Sequence, residues 1–318
     1  MSKIHIIAEA GNNHNGKLDT AKALVKVAQE AGASSVKFQI IYPEGLYLPK
    51  FYQDNKYVRN EVFEKRLESM LTDDEYRELA EYCKRCGIGF SASVFDIRGL
   101  RLLEEIGVDY IKLASCDLNN YPFLQKVAET GRRIVLSTGM ASLGEIEKAV
   151  ETITKAGNED IVLLHCVSVY PCKTEHMNLA FLSTLKSAFG FPVGLSDHTV
   201  ESIAAVAATA LGVNWIEKHF TLDRSQDGFD HAYAMEPVSL RSYIRDVRIT
   251  EMACQSKREK LIQQEQTVKN RARRSLYSAR DIEIGEVVSP EDILIVRPEG
   301  PMAPGDLEFI LGNLLHAK

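Results

Sequence analysis

Eight times between residues 4 and 220 the chain repeats one pattern: a short apolar, β-branched run, then a segment with apolar residues at helical spacing. The runs are IHIIAEA (4–10), SSVKFQI (34–40), IGFSASV (88–94), DYIKLAS (109–115), RIVLSTG (133–139), DIVLLHC (160–166), PVGLSDH (192–198) and NWIEKHF (214–220). Seven of them follow shortly after a glycine, namely Gly32, Gly87, Gly107, Gly131, Gly157, Gly190 and Gly212. Glycine adopts the left-handed conformation just past a helix at least cost, so each marks a helix end before the next strand. Between runs, segments such as LDTAKALVKVAQEA carry the helical pattern, and Thr72 followed by Glu75 has capping-box spacing.

Eight strand–helix units predict a (β/α)8 TIM barrel over residues 1–255. The competing doubly wound sheet lacks support, because no Gly-x-Gly-x-x-Gly turn follows the first run. An aromatic and charged insertion at 41–70 breaks the rhythm after the second strand. On a barrel it sits over the catalytic face, as a lid or substrate-contacting loop, or equally as a surface excursion or dimer contact. Residues 256–274 read as a charged, Gln-rich and partly helical linker, and its NRARR as a solvated connector. Residues 275–318 read as a small β-rich module with turns at Ile-Gly-Glu and Pro-Glu-Asp.

The net charge of −6 argues against nucleic acid or an anionic membrane as main partner, while allowing a local basic pocket. With no membrane-length apolar run and no signal peptide at MSKIHIIAEA, the expected location is the cytoplasm. Six scattered cysteines suit reduced thiols. CKRC at 83–86 has no second pair at matching spacing to complete a zinc site.

Barrels place chemistry at the C-terminal ends of their strands, and here those ends are polar. They offer Glu9; Lys37 and Gln39; Ser93; Lys112 and Ser115; Ser137; His165, Ser168 and Tyr170; Ser196 and His198; and Glu217 and His219. Period-two alternation puts Lys37 with Gln39, Ser196 with His198, and Glu217 with His219 on common faces, taken as inward. A lone strand-end histidine is more often structural than a ligand. Two ending consecutive strands, His198 and His219, can share one divalent cation with open positions for water and substrate. His231, in the loop beyond, reads as a substrate-side or supporting residue. Lys37 and Lys112 in a barrel mouth imply an anionic ligand, a phosphate or carboxylate, unless they pair with Glu9 or Asp117.

The chain resembles the sialic acid synthases, which condense phosphoenolpyruvate with an N-acylated hexosamine to give nine-carbon nonulosonic acids. The likeness rests on IAEAGNNHNG (7–16), VKFQ (36–39), KLAS-CD (112–117), VLSTGMASLGEI (135–146), LLHCVSVYP (163–171), VGLSDHT (193–199), IEKHFTLDR (216–224) and GFDHAYAMEP (228–237). The tail is similar to that family's antifreeze-like (SAF) module. The resemblance implies that His198 and His219 hold Mn2+ or Mg2+. It implies that Lys37, Ser93, Lys112, Ser115 and Ser137 bind phosphoenolpyruvate. Glu9, Gln39, Asp117, Tyr170 and Asp230 would contact the sugar or metal-bound water, with Glu9 a candidate for proton transfer. Arg297 matches the arginine sent into the partner subunit's site, which implies a domain-exchanged homodimer.

Departures from the family bear on the substrate. Some members carry asparagine in place of Ser168 and glutamate in place of Asp117, and SASVF (91–95) stands where S-T-P-F is more usual. The tail is expected to be shorter than the family's module, stopping at LGNLLHAK. N-acetylmannosamine is the leading acceptor, on the likeness of DHAYAMEP to D-H-x-A-x-x-E-P, with a 2,4-diacetamido sugar (legionaminate or pseudaminate synthesis) or a 6-phosphorylated hexosamine as alternatives. Two rivals stand apart: a Schiff-base aldolase using Lys112 or Lys218, and a non-catalytic carbohydrate- or ice-binding protein.

Overall fold

The computed structural model describes residues 3–255 and 261–311. All eight expected strands form: β1 (His5–Gly11), β2 (Ser35–Ile40), β3 (Gly89–Val94), β4 (Tyr110–Leu113), β5 (Arg133–Ser137), β6 (Ile161–His165), β7 (Val193–Asp197) and β8 (Trp215–His219). They pair in parallel and in sequence order, and β1 closes on β8 with Glu9 opposite His219. The fold is a TIM barrel.

The helices end as the glycines predict. Gly32 caps α1 (Leu18–Ala31), Gly87 caps α2 (Asp73–Cys86) and Gly107 caps the helix Ile97–Ile106, each left-handed. Thr72 and Glu75 make the expected reciprocal capping box at the start of α2.

Alternation along the strands positions the site. Outward residues pack with the helices in one large apolar core. Ile7, Tyr110, Val135 and Trp215 belong to a second, smaller buried cluster. Two residues further along the same strands, hence on the same inward face, stand Glu9, Lys112, Ser137 and Glu217. The apolar floor thus carries a polar storey above it.

Residues 41–70 form an exposed hairpin, Lys50–Gln53 with Lys56–Arg59, and then a helix, Glu61–Glu68, capped by Asn60. Among the described residues no helix is long and apolar enough to cross a membrane.

The chain divides into two units, Met1–Gln255 and Ser256–Lys318. In the second, a helix (Gln263–Ala272) covers much of the stretch expected as linker, and Lys269 lies 3.5 Å from Glu299. Among the described residues the expected β-structure is one antiparallel pair, Ser275–Ser278 with Ile293–Val296. Gly285 and the short helix Pro290–Asp292 make the two expected turns. Residues 256–260 of the expected linker and 312–318 of the expected module lie outside the described residues.

Candidate active site

A cavity of about 480 Å³ opens at the C-terminal ends of the strands. Its wall brings together Glu9, Lys37, Gln39, Ser93, Lys112, Ser115, Ser137, Ser168, Tyr170, His198, His219 and Asp230.

One side is cationic. Lys37 Nζ donates to Ser93 Oγ at 2.8 Å and lies 2.7 Å from Glu9 Oε2 and 3.6 Å from Glu217 Oε2. Lys112 Nζ donates to Ser137 Oγ at 2.7 Å and to the Leu113 carbonyl at 2.9 Å. Burial opposes the charge on Lys37, but Glu217 and Glu9 outweigh it and raise its pKa. Among the described residues Lys112 has no carboxylate within ion-pair distance, and burial pulls its pKa down. An anion entering here would meet one ammonium in direct contact with protein carboxylates and one that feels Glu217 only at longer range.

The two carboxylates beside Lys37 diverge. Burial, aided by the charge of Glu217, raises Glu9 to about 7 against the pull of Lys37. Glu217 is buried too, but Lys112, Lys37 and His219 overcome that and hold it down at about 2. Glu9 is therefore the member of the pair that can carry a proton near neutrality, while Glu217 stays ionised. Gln39 Nε2 donates to Glu9 Oε1 at 3.0 Å. Gly11 makes room for this group: a Cβ there would lie 2.6 Å from Asp230 Oδ2 and 3.5 Å from Glu9 Oε1.

The histidines meet on the other side, with ring centroids 5.8 Å apart. His198 Nδ1 donates to the Val167 carbonyl at 2.6 Å, which leaves Nε2 with its lone pair, 3.3 Å from Ser196 Oγ. His219 Nδ1 is buried without a hydrogen-bond partner, 4.0 Å from an equally unpartnered Asp230 Oδ2. Burial lowers both pKa values, His219 to about 4, so both imidazoles are neutral at pH 7 and able to ligate. Among the described residues no three His, Cys, Asp or Glu side chains form a ready metal cage. A neutral pair with an orphaned ring nitrogen nevertheless fits a two-histidine site whose other positions go to substrate and water. The Tyr170 ring lies 4.1 Å from that of His198, and Tyr233 donates to Asp230 Oδ1 at 2.5 Å.

The sequence profile of the NeuB family matches residues 24–259. The chain belongs to the NeuB family. It is 37% identical to the N,N'-diacetyllegionaminic acid synthase of Campylobacter jejuni, over 99% of this chain and 96% of that one. It is 34% identical to the human N-acetylneuraminate-9-phosphate synthase, over 97% and 87% of the two chains. A crystal structure of N-acetylneuraminic acid synthetase from Leptospira borgpetersenii, in complex with citrate, superposes with a TM-score of 0.74 at 35% identity, covering 84% of this chain and 91% of that one.

Two barrel residues expected in the site of this NeuB-family chain, His231 and Asp117, are not in the cavity wall. His231 is buried behind it, with Nδ1 2.6 Å from Thr221 Oγ1 and Nε2 3.5 Å from Asn15 Oδ1; its bonds tie the loop after β8 to the loop after β1. Asp117 turns toward Asn120 and its neighbour Cys116, in a short helix past β4. Arg297 is exposed on the second unit. His165 also faces away, 2.6 Å from the Met177 carbonyl. Lys218, one residue out of step with the inward face, lies 3.2 Å from Asp197 and donates to the Thr199 carbonyl, outside the cavity.

Other lining residues escaped the sequence reading: Arg66, Phe229 and Tyr233, with Phe95, Cys116, Met140 and Cys166. Most of these stand on loops, where neither period applies, and Arg66 stands on the inserted helix. Phe229 and Tyr233 lie inside the quoted GFDHAYAMEP, and Cys116, Met140 and Cys166 inside other quoted motifs, so motif inspection could have found them.

Proposed function

We propose that this chain condenses phosphoenolpyruvate with an open-chain N-acylated hexosamine, releasing phosphate and forming a nine-carbon nonulosonic acid. The observation that carries the reading is the juxtaposition, in one cavity, of two buried ammonium groups and two neutral imidazoles. Among the described residues Lys112 makes no direct ion pair with a carboxylate, and a dianionic donor substrate supplies one.

Lys37, Lys112, Ser93, Ser115 and Ser137 would hold the phosphate and carboxylate of phosphoenolpyruvate. Their donors are already fixed by the protein, so little reorganisation is needed as charge moves. A divalent cation, Mn2+ or Mg2+, held by His198 and His219, would polarise the aldehyde oxygen of the sugar as a Lewis acid. Gln39, Asp230 and Tyr170 line the cavity and would orient the acceptor. Carbon 3 of phosphoenolpyruvate attacks the aldehyde carbon and positive charge develops at carbon 2, which the ionised Glu217 favours. Water adds at carbon 2, and the tetrahedral product expels phosphate. Glu9, with its pKa near neutrality, would relay the proton.

N-acetylmannosamine is the first acceptor to test. The Campylobacter jejuni relative makes a 2,4-diacetamido sugar the second. Phosphate release from phosphoenolpyruvate, with Mn2+ present, is measured across these sugars and the 6-phosphate; release with none of them sinks the reading and favours a non-catalytic sugar-binding protein. A Schiff-base aldolase through Lys112 is the rival chemistry, favoured by the lowered pKa of that ammonium. A covalent adduct trapped by borohydride with pyruvate would establish it.

The second unit is proposed to be an SAF-type module that brings Arg297 to the partner subunit's site in a homodimer. Arg297→Ala is expected to raise the acceptor KM or lower kcat, and unchanged kinetics would remove the proposal.

A further inference from the structure

Arg66 is an anomaly in a folded protein. It is only 8% exposed, and its Nε and Nη1 have no hydrogen-bond partner. Among the described residues it forms no ion pair, and its guanidinium lies 3.6 Å from the centroid of the Phe229 ring. Stacking offsets part of the cost of burying the charge, but it satisfies none of the five N–H donors. Buried polar groups left unpaired cost stability and are rare enough to need a reason. The reason is position: Arg66 lines the cavity, carried there by the inserted helix Glu61–Glu68, and Phe229 lines it beside Arg66.

We propose that Arg66 is an acceptor-recognition residue, whose guanidinium donates to the acyl carbonyl oxygen of a neutral N-acylated hexosamine while Phe229 packs against the acyl methyl. The inference rests on the proposed condensation and adds to it the group that selects the acceptor. A flat guanidinium on an aromatic face presents hydrogen-bond donors and apolar surface side by side, the two things that an acylamino group needs. Charge favours a neutral acceptor over a phosphorylated one. With Glu9 protonated, the lining cations Lys37, Arg66 and Lys112 exceed the anions Glu217 and Asp230 by one, an excess that the phosphate and carboxylate of phosphoenolpyruvate take up. Phosphoenolpyruvate brings in negative charge, and a second phosphate would add more in a partly desolvated site.

The test is the kinetics of Arg66→Met, which keeps an apolar stem of similar length, with whichever acceptor the phosphate-release assay identifies. Loss of a charge-assisted hydrogen bond is expected to raise the acceptor KM about tenfold or more. The KM for phosphoenolpyruvate should stay near wild type and the Tm should hold or rise, since an unpaired buried charge is removed, and Arg66→Lys should recover part of the loss. Calorimetry should show the wild type binding the acylated sugar more tightly than the same sugar with a hydroxyl at that position, and Arg66→Met erasing the difference. An unchanged acceptor KM in an active Arg66→Met variant overturns this inference alone. So does a wild type that prefers the 6-phosphate, with the preference lost in the variant, because the guanidinium would then be reading phosphate. A wild type that releases no phosphate with any acceptor overturns the proposed function and this inference together.

Discussion

Glu9 shows how a single position acquires chemistry from its surroundings. As a carboxyl on an inward strand face it would be ionised in water; burial beside Glu217 raises it to about 7 from an ordinary 4.5. The protonated form is the one that the folded chain favours. Stability tied to it is complete below about pH 4.5 and is lost as pH rises through about 7. Glu9→Gln stays neutral throughout, so its stability relative to wild type should improve by on the order of 2 kcal/mol between about pH 5 and about pH 8, read from urea midpoints. The same variant should lose an inflection near pH 7 in kcat/KM; a profile identical to wild type would remove Glu9 from proton transfer. Residues of this kind were readable in advance because strand alternation decides which way they face. Lys37, Gln39, Lys112 and Ser137 all followed that rule into the cavity. His231 did not, because nothing in the loop after β8 fixes a direction, and its ring turned to Thr221 instead.

Elements add what alternation cannot. The end of β1 is irregular: the register with β2 shifts between Glu9 and Gly11, and Gly11 has φ +53°. That kink lets the Asp230 carboxylate approach the Glu9–Gln39 pair across the space where a side chain would stand. Gly11→Ala forces a left-handed alanine, at about 1–2 kcal/mol, and thrusts a methyl toward Asp230. The expected outcome is a soluble, folded variant with Tm a few degrees lower and activity at least tenfold down. Full activity would show that Asp230 does not need its present place. The inserted helix Glu61–Glu68 teaches the opposite lesson about reading from sequence. Its position in the chain marked it as lying over the catalytic face, but not which residue would point inward. Only the Asn60 cap and the packing of Arg66 on Phe229 settle that.

At the scale of the whole barrel, the two histidines are neighbours only because the sheet closes in sequence order. β7 pairs with β8, with Lys218 opposite Asp197, so the residues one step further along, His198 and His219, emerge side by side. The unfolded chain keeps them about twenty residues apart without any such geometry, so a cation that needs both rings binds the folded state alone. Such a ligand stabilises by about 2.7 kcal/mol at a hundredfold excess over its Kd. Mn2+ should therefore raise the Tm of wild type in a concentration-dependent way, and EDTA should reverse the rise. His198→Ala and His219→Ala should each remove most of that shift while leaving the metal-free Tm within a few degrees. The double variant should lose little more than either single one, because two ligands of one ion act as a unit. Should either single variant keep the full Mn2+-induced shift, the ion does not rest on this pair. The cationic wall of Lys37 and Lys112 would then have to be explained with the cation elsewhere.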